Sequence, residues 1–297
     1  MNSKFSLYMF IAMTLWAGSW VSGKLISSGE FYFQFIFWRF AITSICYLVI
    51  HQISVRKKKE YQGISGILKK PSLTGLVILS AISLVGYNIM FILGLKSGLA
   101  GKGGVIVTTL NPLIGFIIGT IIYKNRFSLR SWLGIILGLI GGIILVEPWK
   151  YSLVQLIDGG NLIFVAAAGF WSLITALGHK IQKDITLWEF NLLTYTIAIF
   201  LTIPFIWNKD IFNLQQYTTG FWINTIYLAV MAGTIAGGMY FYASKVIGSA
   251  RAGSFTFIVP GMALLFSFLF LKEIPEISTI IGGALAVTAV YIINMKK

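Results

Sequence analysis

Residues 111–140 read NPLIGFIIGTIIYKNRFSLRSWLGIILGLI, and residues 259–288 read VPGMALLFSFLFLKEIPEISTIIGGALAVT. Each is a proline-bearing apolar stretch, then a short polar turn, then a glycine-led apolar stretch. At an offset of 148, Pro112 falls on Pro260, Lys124 on Lys272 and Gly134 on Gly282. Nearer the start of each half the offset is 155, which sets Trp16 on Trp171, Gly23 on Gly178 and Lys24 on His179. The chain therefore reads as a duplication, with a first repeat over 1–147 and a second over 148–297.

Outward from these stretches the composition keeps the same character. Of 297 residues, 57% are hydrophobic and 11% charged, and the mean hydropathy is +0.84. A soluble domain carries about 25% charged residues, so a water-exposed enzyme is excluded. A helix needs about 20 apolar residues to cross the hydrocarbon core. Such stretches fall near 5–26, 31–53, 72–95, 99–123, 129–147, 158–179, 188–207, 220–243, 250–271 and 277–295. A transmembrane barrel would show alternating segments of about ten residues instead. The expected fold is an all-α polytopic membrane protein: ten transmembrane helices in two five-helix repeats. Five is odd, so the second repeat is inverted relative to the first, an architecture recurrent among secondary transporters. The first stretch, with Trp16, Trp20 and Lys24 in place of a small-residue cleavage site, reads as an uncleaved helix. The basic, partly apolar segment 54–71 reads as a short helix lying on the membrane surface.

With the N-terminus in the cytoplasm, sixteen of the 23 basic residues fall on the inner side. Five (Lys96, Lys102, Lys150, Lys209 and Lys272) fall outside, and Lys24 and Arg39 lie in or at the edge of spans. That bias places both termini in the cytoplasm of a bacterial inner membrane. It also explains the net charge of +14 without a nucleic-acid partner. One cysteine, Cys46, and two histidines, His51 and His179, support neither a disulfide framework nor a metal site. No phosphate-cradling glycine loop ends in Lys-Ser/Thr, so ATP is not the expected energy source. No cofactor is expected, and GKGG at 101–104 reads as a turn into the fourth helix.

WAGSWVSGK in the first span, FWRFA in the second, NPLIGFIIGTIIYKNRFS in the fourth and VPGMALLFSFLFLKEIPEISTIIGGALAV near the end carry a family resemblance. Together they resemble the EamA-type family of the drug/metabolite transporter superfamily, over essentially the whole chain. The resemblance implies a ten-helix, five-plus-five inverted repeat that moves small metabolites by alternating access. Asn125 stands in the first repeat where Glu273 stands in the second.

Trp16, Trp20 and Lys24 are spaced to form one helical stripe, and Trp171, Thr175 and His179 repeat it. Facing one another, the two stripes would offer aromatic faces to an apolar or cationic group and basic ends to an anion. Packing of the tryptophans and snorkelling of Lys24 and His179 are the alternatives. Arg39 lies well inside a span with no evident carboxylate mate, at a cost of at least ~2.5–3.5 kcal/mol. Carbonyls at a helix end, Glu30 or an anionic substrate are its candidate partners, with a structural role favoured. Pro112 and Pro260 fall near the middle of spans and mark breaks and bending points; Asn111, Thr108, Thr109, Ser254 and Thr256 add polar groups beside them. Tyr87, Asn88 and Tyr240 are further substrate-binding candidates at intermediate depth. Arg39, Pro112, Pro260 and Glu273 are expected to act in gating or structure. Among His179, Glu189 and Glu273, the groups able to exchange protons, the sequence shows none buried with a partner.

The function expected is secondary active transport of small organic metabolites, with export of amino acids or related metabolites as the leading form and protons as a candidate coupling ion. The alternative is an exchanger or uptake carrier for an anionic metabolite such as a nucleotide sugar, sugar phosphate or nucleoside. A membrane-embedded protein that does not transport stands behind both. Substrate identity and oligomeric state do not follow from the sequence.

Overall fold

A computed structural model describes residues 3–57, 67, 70–123, 129–152, 160–181, 184–247 and 255–294. The described residues form helices and no strands. The first five helices are α1 (Ser3–Ser27), α2 (Tyr32–Lys57), α3 (Pro71–Ser97), α4 (Ala100–Tyr123) and α5 (Leu129–Val146). After a 3₁₀ turn at Pro148–Lys150 come α6 (Asn161–Ile181) and α7 (Leu187–Ile206). Helix α8 (Thr219–Ile226) runs through a π-helical segment, Tyr227–Ala236, into α9 (Gly237–Ile247). Helix α10 (Ile258–Phe266) passes into a second π-helical segment, Ser267–Leu271, and α11 (Ile277–Asn294) follows.

Local chemistry sets several of these ends. Pro71 opens α3, where its missing N–H is one of the helix's spare donors. Thr186 and Glu189 form a reciprocal capping box at the start of α7, and Thr218 caps α8 by accepting from the Phe221 N–H. Lys272 terminates the second π segment in the left-handed region at φ 60°.

Seven of the helical stretches are long and apolar enough to cross a membrane: Phe5–Ser27, Tyr32–Ile53, Pro71–Ser97, Trp132–Lys150, Asn161–Gly178, Leu187–Ile206 and Thr219–Tyr240. Ile258–Leu271 and Ile277–Ile292 are apolar but shorter. The first is short because the backbone turns at Thr256–Phe257 and the helix starts only at Ile258. Pro260 consequently sits in the first turn of α10, just after that break. There its missing N–H breaks no helical bond. Pro112, by contrast, lies inside α4. GKGG at 101–104 belongs to the first turn of α4 and is not a turn before it. Of the expected surface helix over 54–71, residues 58–66, 68 and 69 lie outside the described residues, as does Ser254, while 54–57 end α2 and Pro71 opens α3.

Helix α1 packs on α3, α4, α10 and the α8–α9 helix. Helix α6 packs on α3 and α4, α2 on α7, and α5 on α11. Lipid tails are as apolar as leucine, so close backbone approach, rather than a hydrophobic drive, holds such helices together. The α5–α11 seam shows it: a Cβ on Gly141 would lie 2.8 Å from the Gly282 carbonyl oxygen, and one on Gly282 2.8 Å from that of Gly141. Large apolar side chains on the far faces of this pair, Trp132, Leu133, Ile136, Leu139, Ile277, Ile280 and Ile281 among them, are exposed. Such a surface suits lipid and not water.

Candidate functional site

Two sets of polar groups occupy different depths. The first lies at one end of the bundle and ties helices together. Lys24 at the end of α1 donates to the Leu95 and Gly98 carbonyls at the end of α3, at 2.6 and 2.7 Å. Those carbonyls belong to the negative pole of the helix dipole, so a cation suits them. At the start of α4 the carboxylate of Glu273 accepts from the Ala100 and Gly101 N–H groups, at 3.0 and 3.1 Å. A carboxylate at a helix N-terminus is stabilised by the opposite pole. Ser267 joins the same cluster, bonding to Glu273 and accepting from Gly101 N–H at 3.1 Å. Lys102 is buried and paired with Glu147 at 2.8 Å and Glu276 at 2.6 Å, and Lys150 closes on Glu147 at 2.5 Å. Gly160, at φ +81°, lets the approach to α6 pass so close that a Cβ would lie 2.8 Å from the Gly94 carbonyl oxygen. The next turn sets Phe164 against Gly94, Gly98 and Gly103. Helices α1, α3, α4, α5, α6, the segment after α10 and the segment before α11 are thus joined at this end.

The second set lies deeper. Counted at 1.5 Å per residue from the tied ends, Trp16, Tyr87, Asn88, Asn111 and Trp171 sit roughly 10–17 Å down. Trp16 donates its indole N–H to the Ala232 carbonyl at 2.9 Å, and its ring lies 5.2 Å from that of Tyr240. Ala232 belongs to the π-helical segment, whose carbonyls also accept from Thr43 (at Ala229) and Tyr47 (at Gly233). Irregular helix of this kind is frequent at functional sites. Tyr227, at the head of that segment, donates to the Leu15 carbonyl at 2.8 Å. On the other wall Tyr87 lies 4.8 Å from Trp171, centroid to centroid. The Ser172 hydroxyl lies 2.9 Å from Asn111 Oδ1. Arg39 donates from Nη1 to Asn88 Oδ1 at 2.8 Å, and Asn88 donates onward to the Leu84 carbonyl at 2.9 Å. Trp16, Arg39, Tyr87, Asn111, Trp171 and Tyr240 are all half-buried.

The sequence-derived stripes are therefore divided by the structure. Trp16 and Trp171 belong to the deep layer. Trp20 is buried against Phe91 and Phe164, with ring centroids at 5.0 and 6.0 Å, and Lys24 belongs to the tied end. Thr175 is exposed and bonds to the Trp171 carbonyl of its own helix. The side chain of His179 lies outside the described residues. Neither Glu30 nor a helix-end carbonyl partners Arg39; Asn88 does. Glu273 and Glu189, for which the sequence shows no partner, are each held by one: Glu189 is buried and accepts from Thr186 N–H and Oγ1–H at 2.9 and 2.8 Å. Sequence reasoning missed the Lys102–Glu147–Glu276 cluster because it counted Lys102 as a free outer charge. The available signal was that Glu147, Glu273 and Glu276, three of nine acidic residues, fall at the same span ends as Lys24, Lys102 and Lys150. Among the described residues no group of three or more His, Cys, Asp or Glu side chains could hold a metal ion.

Comparison with known proteins places this arrangement in a lineage. One solved structure superposes with a TM-score of 0.63, covering 98% of this chain and 96% of its own at 17% identity, which is a likeness of fold. An uncharacterized transporter of Archaeoglobus fulgidus is 24% identical over 306 residues, covering 100% of this chain and 99% of that protein. The uncharacterized transporter YyaM of Bacillus subtilis is 25% identical over 258 residues, covering 85% of this chain and 81% of its own. The WAT1-related protein At3g02690, chloroplastic, of Arabidopsis thaliana is 25% identical over 216 residues, which is 69% of this chain and 50% of that one. The model of the EamA-like transporter family matches residues 3–147 and again 158–295. With nearly the whole length matched, the chain belongs to the EamA-like transporter family.

Proposed function

We propose that the protein is a secondary transporter of small organic metabolites working by alternating access, and that its leading activity is export of amino acids or related compounds across a bacterial inner membrane. Ten spans in two inverted halves, 1–147 and 148–297, with both termini in the cytoplasm, put the tied end outside. The observation that carries this reading is the pairing of depths: a half-buried layer of aromatic and amide groups lies beneath an end joined by buried charges. A solute held at that layer would be roofed on one side. The packing supports a two-fold relation between the halves: α3 on α6 is matched by the α8–α9 helix on α1, α4 on α6 by α10 on α1, and α3 on α7 by the π-helical segment on α2. Protons are the candidate coupling ion of this reading.

The test is counterflow in liposomes holding the purified protein, over amino acids, sugar phosphates and nucleosides, with and without a pH gradient. Protein-dependent flux that falls on changing Trp16 or Trp171 while the protein still folds supports the reading. No flux of any solute by folded protein overturns it.

A further inference from the structure

We propose that Arg39 and Asn88 form a subsite for a single carboxylate, so that the solute carried is an organic acid with an apolar body. This rests on the transporter reading above.

Arg39 is a permanent cation inside a span, where a charge persists only if a partner or a wet space compensates it. Among the described residues it makes no ion pair. Among the described residues its hydrogen bond joins Nη1 to Asn88 Oδ1, which uses one of five N–H donors. The others are not among the sealed, unpartnered polar atoms, so they meet accessible space. That space is on the inner side of α2: Phe35, Ile36 and Thr43, one helical turn away on either side, are fully or almost fully buried. The lipid side of the helix carries Ile45, Leu48 and Val49 instead.

Asn88 is an orienting partner. Its amide N–H is anchored on the Leu84 carbonyl at 2.9 Å, which fixes Oδ1 toward the guanidinium. A neutral acceptor leaves the charge uncompensated while holding its plane. Asn88, which holds the guanidinium, adjoins Tyr87 in the chain, and Tyr87 packs on Trp171, so an aromatic pair suited to an apolar body stands one residue from the cation's partner.

The number of charges chooses the anion. A guanidinium matches a planar carboxylate with two parallel bonds and balances its one charge. A phosphate dianion would need a second cation, and Lys24, the nearest candidate by sequence, is engaged by the Leu95 and Gly98 carbonyls. An ammonium group finds no carboxylate in this layer among the described residues, and aromatic faces such as those of Trp16, Tyr87 and Trp171 offer it a weaker hold.

The purified full-length protein would be titrated with phenylacetate, phenylalanine, phenethylamine and phenyl phosphate. Thermal stabilisation and quenching of tryptophan fluorescence read binding, and counterflow in liposomes reads transport. Phenylacetate or phenylalanine should bind, and phenethylamine and phenyl phosphate should bind far more weakly. Arg39→Gln should weaken carboxylate binding by roughly tenfold to a hundredfold, the range for a hydrogen-bonded charge, and Arg39→Lys by less. If Arg39→Gln fails to fold, Asn88→Asp decides. It sets a built-in carboxylate on the guanidinium, a charge pairing that offsets the lost bond to the Leu84 carbonyl, so folded Asn88→Asp protein should lose carboxylate binding, whereas a merely structural Arg39 would leave that binding unchanged. Unchanged binding in Asn88→Asp, equal binding of the amine, preference for the phosphate, or no binding of either carboxylate each overturns the subsite. If the wild type still moves another solute, the subsite alone fails; if folded protein moves none, the transporter reading fails with it.

Discussion

Lys102 is 5% exposed and Glu147 1% exposed, so their bond is made out of water and salt screens it little. Removing one member of a buried pair costs about 3–5 kcal/mol where the other is left without a partner; here Glu147 keeps Lys150, and Glu276 also loses Lys102. Lys102→Met should therefore lower the thermal unfolding midpoint in detergent, by less than that full cost. The double change Lys102→Met with Glu147→Gln should recover part of the loss, because the buried Glu147 charge is removed as well. Trp16 makes two separable contacts, an N–H bond to the Ala232 carbonyl and a ring contact with Tyr240. Trp16→Phe keeps much of the second and loses the first, at about 0.5–1.5 kcal/mol. Counterflow should fall in this variant with little change in unfolding temperature, and a fall in both together would assign Trp16 to packing.

Helices α5 and α11 meet backbone to backbone at Gly141 and Gly282, where an added Cβ on either would press on the other's carbonyl oxygen at 2.8 Å. Neither atom is the far end of a flexible chain, so the helices must part. Gly282→Leu should destabilise the protein by roughly 1–3 kcal/mol, the usual cost of overpacking, read as a lower unfolding midpoint. Gly75, with open space around its absent Cβ, should accept alanine without such a loss. The lengths of the helices were legible beforehand, and the expected spans match α1, α2, α3, α6 and α7 to within a few residues. The π-helical segments were not. Their extra residue per turn leaves the sequence no mark, since it is stabilised by partners such as Trp16 and Thr43 on other helices.

At the scale of the molecule, the contacts of Lys24, Lys102 and Glu273 all fall at one end, and together they join helices that lie far apart in the chain. Under the proposed topology this end faces out. With Cys46 replaced by serine, a cysteine placed at Thr108, half-buried in α4, should resist a membrane-impermeant thiol reagent added from outside. Combining Glu273→Gln with Lys102→Met should make it react from that side. Equal labelling with and without those changes would show that these bonds do not control access.

The sequence by itself determined that the chain lies in lipid as helices, because runs of about 20 apolar residues leave the backbone no other way to satisfy its hydrogen bonds there. It also exposed Arg39 as a charge needing explanation. Only the tertiary structure decided that Asn88, and no carboxylate, holds that charge, that Lys24 caps α3, and that Lys102 finds acids 45 and 174 residues away. Helices apolar all round carry no stripe that says which face turns inward. Rotation and partner are fixed only when glycines, aromatic rings and buried charges from distant segments meet.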